Sequence, residues 1–237
     1  MKHPTILPKD IEKMLVWWLF WISGVGGQMD MKDTLFAFPM ESLTSYVELS
    51  PAHHGPLGEA TVCMRFHSNL TREYALFSLA TRNRYNAFLL FYYSGSRNQF
   101  LLSVDNKDQN YELQGNNFTE WTSICAAWSS SAWVVWIDGK AYKTDGFPDV
   151  QISDELSIII GQEQDRYKGG FNASESFVGE VTDINMWDKA LTEENMMDYF
   201  AANEMSGNII NWNALRYTIH GDVKKSPYAD PYPCIPV

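Results

Sequence analysis

Three acidic residues, Glu163, Asp165 and Glu175, lie within a polar, glycine-bearing segment that spans residues 161–180 and reads GQEQDRYKGGFNASESFVGE. Calcium binds about six to eight oxygen atoms and accepts amide and carbonyl oxygens as readily as carboxylates, so this segment could supply much of a calcium site. The spacing is not that of an EF-hand, and the remaining ligands must therefore come from elsewhere in the chain. Composition alone favours the alternative of a solvated acidic loop.

A second chemistry for the same segment is glycoside hydrolysis. Glu163 and Asp165 would project from one face of a strand, as the paired carboxylates of a sandwich-fold glycosidase do. The next residue on that face is Tyr167, so the acidic pattern is incomplete. The sequence also contains no Gly-x-Ser-x-Gly elbow, no Walker loop and no His-Glu-x-x-His motif. We therefore predict a binding protein and not an enzyme.

The elements that must hold this segment are β-strands. Short runs rich in aromatic and β-branched residues recur between turn residues, and one of them, LSIII, directly precedes the acidic segment. The runs are YVEL, TVCMRF, YALFSLA, AFLLFYY, QFLLSV, TSICAAWSS, AWVVWI, LSIII, FVGEV and DINMW. Their number and spacing predict an all-β fold, an antiparallel β-sandwich or jelly roll, formed by one domain over residues 28–225.

One segment has a helical pattern instead. Thr192 is a suitable N-cap, and the two glutamates that follow it are favoured by the helix dipole. Met196, Met197 and Phe200 then recur at helical spacing. The pattern predicts one short helix near residues 192–202.

The N-terminal segment is typical of a secretory signal peptide. Lys13 precedes an apolar run from Met14 to Ile22, and small residues follow up to Gly27. We predict that residues 1–27 are removed and that the mature protein is secreted, with Met14 as an alternative start. The apolar run is far shorter than the roughly 20 residues that span a bilayer, so no transmembrane segment is expected.

The charge balance is strongly acidic, with a formal net charge of −11. Removal of residues 1–27 takes away three lysines and two acids, which leaves −12. Because neutralising phosphates requires a basic surface, we do not expect nucleic acid as the main ligand. The same balance argues against electrostatic docking on an anionic membrane.

Three cysteines remain in the mature chain, and thiols of secreted proteins usually pair. Cys63 and Cys125 lie in strand-like runs, whereas Cys234 lies in a proline-rich tail, residues 226–237, in which we expect no regular structure. This distribution favours a bridge between Cys63 and Cys125. It leaves Cys234 for an intermolecular disulfide or a small-thiol cap.

Three Asn-x-Ser/Thr sequons agree with secretion. They begin at Asn69, Asn117 and Asn172, and we predict that the protein is a glycoprotein.

The blocks GQEQD, SFVGE and NMWD together resemble the pentraxins, and the chain is identified as a divergent member of that family. The resemblance extends along essentially the whole mature chain, from FAFP at residues 36–39 to INWNAL at residues 210–215. The family signature, His-x-Cys-x-Ser/Thr-Trp-x-Ser/Thr, reads SICAAWSS at residues 123–130. Its cysteine, tryptophan and final serine match, while Ser123 and Ala127 replace the histidine and the central hydroxyl residue.

The resemblance implies a flattened, concanavalin- and laminin-G-like jelly roll with a Cys63–Cys125 disulfide. It also implies a cyclic homo-oligomer, usually a pentamer, with two adjacent calcium ions on one face of each subunit. The ligands implied by the family motif are Asn86, Glu163, the main-chain carbonyl of Gln164, Asp165 and Glu175.

Two positions depart from the calcium pattern of the family. Tyr85 stands where the family has an aspartate, and this change removes both a charge and a ligand. Asn172 stands at a further ligand position and is itself a sequon asparagine, so a glycan there would crowd the calcium face. We therefore predict weakened calcium binding, with one or two ions in each subunit.

The resemblance further implies that a ligand phosphate binds the calcium ions while choline rests in an apolar pocket. Phe91 matches the aromatic residue of that pocket, and the ungapped counterpart of the acidic residue that faces choline is Asn106, beside Asp105. Phosphocholine-like, other anionic and carbohydrate ligands are all compatible with these residues. The leading hypothesis is a secreted, lectin-like pattern-recognition protein of innate immunity, of the acute-phase type. The alternative is a laminin-G-like adhesion module without a functional calcium site, which Tyr85 favours.

Overall fold

The computed structural model describes residues 27–228, with gaps at 53–54, 116–117, 147–149, 154 and 202–204. Several sequence predictions lie outside the described residues: the signal peptide apart from Gly27, the sequon residue Asn117, and Cys234 with the last part of the tail. Within the described ranges, no helix is both long enough and apolar enough to cross a membrane.

The described residues form fourteen β-strands, one α-helix and two short 3-10 helices. The strands are β1 (Thr34–Phe38), β2 (Tyr46–Leu49), β3 (Ala60–His67), β4 (Tyr74–Ala80), β5 (Phe88–Tyr93), β6 (Gln99–Val104), β7 (Lys107–Glu112), β8 (Thr122–Trp128), β9 (Ala132–Ile137), β10 (Lys140–Asp145), β11 (Ser157–Ile160), β12 (Gly179–Trp187), β13 (Tyr217–His220) and β14 (Lys224–Pro227). The helix α1 spans Glu193–Phe200, and the 3-10 helices span Ala173–Glu175 and Trp212–Ala214.

The strands pair into two antiparallel sheets of seven strands each. The first sheet has the order β10-β9-β8-β3-β12-β1-β14, and the second has the order β13-β2-β11-β4-β5-β6-β7. Side chains alternate between the two faces of a strand, so each sheet has an inner face that packs on the other sheet and an outer face. The predicted antiparallel β-sandwich is confirmed.

The core between the sheets is rich in aromatic residues. Phe66 and Trp128 of the first sheet and Phe88 and Phe100 of the second are fully buried. The ring centroids of Phe66 and Phe100 lie 6.3 Å apart, and those of Phe88 and Trp128 lie 5.4 Å apart. Burial of one such side chain stabilises the fold by roughly 1.5–3 kcal/mol, so these rings make a large contribution to holding the two sheets together.

The outer face of the first sheet carries the disulfide. Cys63 of β3 lies directly opposite Cys125 of β8, with the two Cα atoms 4.0 Å apart, and the two sulfurs are bonded. The predicted pairing is confirmed. Trp187, Leu191 and Met196 pack over the bridge and bury it under α1 and the segment that leads into the helix.

The predicted helix is also confirmed, with slightly narrower bounds. The side chain of Thr192 accepts a hydrogen bond from the amide of Asn195, and the side chain of Asn195 accepts one from the amide of Thr192, which completes a capping box. Met196 is buried against the sheet, whereas Met197 is 65% exposed.

The runs FVGEV and DINMW, predicted as separate strands, belong to one strand, β12. A β-bulge between Thr182 and Asn185 shifts the register with β3, and Asp183 there has a φ of 55°. The bulge interrupts the alternation of side chains, and this interruption made one strand look like two.

The expectation that the tail has no regular structure is wrong for its first two residues. Ser226 and Pro227 belong to β14 and pair with Leu35 and Thr34 of β1. Proline is tolerated there because β14 is the edge strand of its sheet. Strand β7 was not predicted either, because it is a polar edge strand whose side chains are mostly exposed or half-buried.

Candidate metal-binding site

The acidic loop, residues 161–178, begins at a position that requires glycine. Gly161 follows β11 with a φ of +86°, and a Cβ atom there would collide with the ring of Phe38. The amide of Phe177 donates a hydrogen bond of 2.9 Å to the carbonyl of Gly161, which closes the loop on itself. The loop therefore leaves and re-enters the sandwich at one place.

The side chain of Gln164 fixes the first part of this loop. It is fully buried, its Oε1 accepts hydrogen bonds from Ser157 Oγ (2.6 Å) and the amide of Lys168 (3.0 Å), and its Nε2 donates to the carbonyls of Ser157 (3.0 Å) and Ser78 (3.1 Å). The main-chain amide of Gln164 donates to Ser78 Oγ at 3.2 Å. Because the side chain is fully used inside the protein, only the main-chain carbonyl of Gln164 remains to bind an ion, as the resemblance implies.

Glu163 and Asp165, on either side of Gln164, lie near Glu175 of the same loop. Burial is the main cause that raises the pKa of Glu163 to about 7, and the negative charges of Glu175, Asp165 and Asp108 raise it further. A hydrogen bond from the Asn86 amide lowers it in part. The charges that act on Glu163 are all negative, so a bound cation would relieve both its burial and its repulsion.

Glu175 lies at the end of the 3-10 helix. Burial raises its pKa, a hydrogen bond from the Asn172 side chain lowers it, and the charges of Asp165 and Glu73 raise it again. Asn172 Oδ1 also accepts hydrogen bonds from the amide (3.2 Å) and hydroxyl (2.9 Å) of Ser174. The side chain of Asn172 therefore links the cap of the 3-10 helix to a candidate calcium ligand.

Asn86 reaches the acidic loop from the turn between β4 and β5. Its side-chain amide donates to Glu163, while its Oδ1 is buried and has no hydrogen-bond partner among the described residues. The main-chain amide of Asn86 donates to Asn106 Oδ1 (3.1 Å), and the main-chain amide of Asn106 donates back to the main-chain carbonyl of Asn86 (3.0 Å). Asn106 thus holds the Asn86 backbone, and Asp105 beside it pairs with Arg84 at 2.6 Å.

Tyr85 is an exposed neighbour of this group. Its side chain is 46% exposed, and the weakened ion binding expected from the missing carboxylate stays a prediction. The premise that Glu163 and Asp165 project from one face of a strand is wrong, because both lie in the acidic loop.

Phe91 lies on the outer face of the second sheet, where it is 3% exposed and packs with Ala75, Leu89 and Leu101. The ring of Tyr93, two residues along β5, lies 5.0 Å from that of Phe91. The charge of Glu163 acts on the Tyr93 hydroxyl, which places this apolar patch next to the acidic loop.

Calcium fits these donors, provided that amide and main-chain oxygens act as ligands together with the carboxylates. Within the described residues, no three His, Cys, Asp or Glu side chains lie close enough together to hold an ion by themselves. An ion here would have to draw Glu163, Asp165 and Glu175 closer together and would add the free Oδ1 of Asn86 and the carbonyl of Gln164 as ligands. Such a mixture of hard oxygen donors suits calcium and does not suit softer metals.

The two described sequons are accessible. The side chains of Asn69 and Asn172 are both exposed, so neither requires a structural change to carry a glycan. Their glycosylation remains a prediction.

Fold and site together define a β-sandwich with a candidate cation site on one outer face. The model of the Pentaxin family matches residues 34–227. The C-reactive protein of Xenopus laevis is 40% identical over 223 residues, which cover 92% of each chain, and the serum amyloid P-component of Rattus norvegicus is 35% identical over 224 residues, which cover 92% of this chain and 96% of the relative. The native heptameric SAP-like pentraxin from Limulus polyphemus superposes with a TM-score of 0.73 at 25% identity and covers 84% of this chain and 97% of its own. The chain belongs to the pentraxin family.

Sequence reasoning missed the residues that position the site. The buried support of the site is formed by Ser78, Ser157 and the side chain of Gln164. Asn106 holds the turn that carries Asn86. Ser78 lies within an otherwise apolar strand and Ser157 begins another, and these two serines are the signal that could have indicated a buried polar network. Asn106 has a φ of 56° in a tight turn, a conformation that asparagine tolerates, but its partner lies twenty residues away.

Proposed function

We propose that the protein is a secreted pentraxin that binds phosphate-bearing or carbohydrate ligands in a calcium-dependent manner. The observation that carries this proposal is the convergence of Asn86, Glu163, Asp165 and Glu175, with Gln164 anchored between them. Family membership supports a ligand-binding role in innate immunity.

Bound calcium would supply positive charge to attract an anionic or hydroxyl oxygen of the ligand. The side chains of Glu163, Asp165 and Glu175 would neutralise most of the ion's charge, and the carbonyl of Gln164 and Oδ1 of Asn86 would complete its contacts with the protein. The buried amide of Gln164 keeps the loop in place before the ion arrives, since its hydrogen bonds need no metal.

The proposal includes secretion and a ring. Removal of residues 1–27 would release the mature chain, and N-terminal sequencing of protein secreted by cultured cells tests this cleavage. The Limulus relative is heptameric by its description; for this chain we propose a cyclic homo-oligomer of five subunits. Several weak sites on one rigid face gain about 10²–10⁴ in apparent affinity on a repetitive surface. Light scattering with and without reductant measures the ring size and shows whether Cys234 links subunits.

Calorimetric titration with calcium chloride tests the site directly. We expect binding to the wild type, at least tenfold weaker binding to Asp165→Asn, and tighter binding to Tyr85→Asp. Asp188→Asn removes an exposed carboxylate between β12 and α1, far along the chain from the acidic loop, and serves as the matched control. Heat of binding in Tyr85→Asp but none in the wild type would favour a laminin-G-like adhesion module that has the fold without the calcium site.

A further inference from the structure

Among the described residues, the outer face of the second sheet carries a closely packed apolar cluster beside the acidic loop. Ala75, Leu89, Phe91 and Leu101 form a small separate cluster there, and all four are at most 5% exposed. The side chains of Ala75, Leu89 and Leu101, on the neighbouring strands β4, β5 and β6, fill the space next to Phe91. A bulky alkylammonium group of a ligand would have to displace them.

Tyr93 covers what remains of this patch. Its ring lies 5.0 Å from that of Phe91 at an interplanar angle of 56°, and it packs against the same cluster. Burial raises the pKa of its hydroxyl group, and the charges of Glu163, Asp108 and Glu73 raise it further while Arg97 lowers it. Tyr93 is therefore near both Glu163, a candidate calcium ligand, and Arg97.

Arg97 brings a cation to this acidic region. Its guanidinium carbon lies 4.7 Å from the centroid of the Tyr93 ring, and its side chain is exposed in the turn between β5 and β6. Across the part of the chain that the structure describes, no carboxylate lies within ion-pair distance of Arg97. A guanidinium that is held over an aromatic ring keeps its fork of N–H donors available for phosphate, sulfate or carboxylate oxygens.

We propose that Tyr93 and Arg97 determine the specificity of the site, so that this pentraxin prefers a ligand with two neighbouring anionic groups. One anionic group would bind the calcium ion and the second would bind Arg97, while Tyr93 excludes an alkylammonium group from the patch around Phe91. The ligand class is a glycan or small molecule that carries two phosphate or sulfate esters. This inference rests on the calcium-dependent binding proposed above.

The test uses two sugars that differ by one phosphate. Calorimetric titrations at saturating calcium compare fructose 1,6-bisphosphate, fructose 6-phosphate and phosphocholine as probes. For the wild type we expect the bisphosphate to bind at least tenfold more tightly than the monophosphate, and phosphocholine to bind no more tightly than the monophosphate.

Two variants separate the roles of the residues. Arg97→Gln should lose about tenfold in affinity for the bisphosphate and less than twofold for the monophosphate. Tyr93→Ala should gain at least fivefold for phosphocholine, because it uncovers Phe91. Lys140→Gln is the matched control, since Lys140 lies 4.9 Å over the ring of Tyr142 on the first sheet and has the same kind of contact away from the site. Each variant is also titrated with calcium alone, which should bind all of them within twofold of the wild type.

The outcomes distinguish this inference from the proposed function. Normal calcium binding together with an unchanged bisphosphate preference in Arg97→Gln would overturn the inference and leave the function standing. A tenfold preference of the wild type for phosphocholine over fructose 6-phosphate would do the same. An absence of calcium binding in the wild type would overturn the proposed function, and the inference with it.

Discussion

The two outer faces of the sandwich are covered in opposite ways. On the first sheet, α1 and the disulfide lie on Trp136 and Trp187, and the contacts are almost entirely apolar. On the second sheet, a loop with three acids is anchored by the amide group of Gln164. The apolar face needs nothing more for its stability, whereas the acidic face places like charges together and lowers stability in the absence of a cation. The difference fits the proposal that the acidic face binds a cation, while the apolar face stabilises the fold.

The largest expected effect on stability comes from removing the disulfide on the apolar face. Replacing both Cys63 and Cys125 by alanine opens a loop of 62 residues, and we expect the free energy of unfolding to fall by about 4 kcal/mol on the loop-entropy account. Calcium affinity should stay within threefold, because the bridge lies on the other sheet. Urea denaturation and calcium titration of the same sample measure both quantities. A large fall in calcium affinity in a variant that remains folded would show that the two faces are coupled.

The second largest effect concerns the acidic face, where we expect a substitution to raise the stability of the protein. The pKa of Glu163 is about 7 in the folded protein and 4.5 as its ordinary value, so the folded state binds the proton more tightly than the unfolded state. The stability that this difference contributes is present below about pH 4.5 and is lost as the pH rises through about 7. In calcium-free buffer, Glu163→Gln should therefore be more stable than the wild type above pH 7, by up to about 3 kcal/mol.

Chemical denaturation at about pH 5 and pH 8 measures this effect. Calcium should stabilise the wild type and leave Glu163→Gln nearly unchanged. Glu193→Gln, at an exposed position of α1, serves as the control and should show the pH dependence of the wild type. The same pH dependence in Glu163→Gln as in the wild type would show that Glu163 is not the group that titrates.

A third variant compares buried polar side chains on the two faces. Gln164→Leu leaves the hydroxyl of Ser157 and the carbonyl of Ser78 without their partner, which should lower the free energy of unfolding by about 1–3 kcal/mol. It should also weaken calcium binding at least tenfold, since the loop loses its anchor. Thr61→Val is the counterpart on the apolar face, where Thr61 Oγ1 donates to the carbonyl of Lys189 at 2.8 Å. It should lower stability by a similar amount and leave calcium binding intact, and equal losses of calcium affinity in both would refute the anchor role.

The smallest expected effect tests whether Asn106 holds Asn86 in place for calcium binding. Asn106→Gly keeps the backbone conformation and removes the side chain that accepts from the Asn86 amide. We expect calcium affinity to fall about threefold to tenfold, with a stability loss of at most about 1 kcal/mol. Asp33→Gly, at another non-glycine residue with positive φ, is the control. Unchanged calcium affinity in Asn106→Gly would mean that the turn holds Asn86 without this hydrogen bond.

The sequence predicts the sandwich, the helix and the disulfide because each depends on a local pattern or on a covalent pair. It also indicates Glu163, Asp165 and Glu175 as candidate ligands, since they are close along the chain. It does not show that the Gln164 side chain is buried, because a glutamine in an acidic loop looks like a solvated residue. Tyr93 and Arg97 could not be assigned either, because about seventy residues separate them from Glu163 and only the order of strands in the second sheet brings them together.

The anchored amide of Gln164 has an entropic consequence. Ordering one residue costs about 1–2 kcal/mol in conformational entropy, and the hydrogen bonds of Gln164 meet that cost when the chain folds. An ion that arrives later finds a loop that is already ordered, so little of its binding free energy is lost to freezing the backbone. In the ring proposed above, sites prepared in this way would point in the same direction on every subunit. Such a ring would engage a surface with regularly spaced ligands without first reorganising each site.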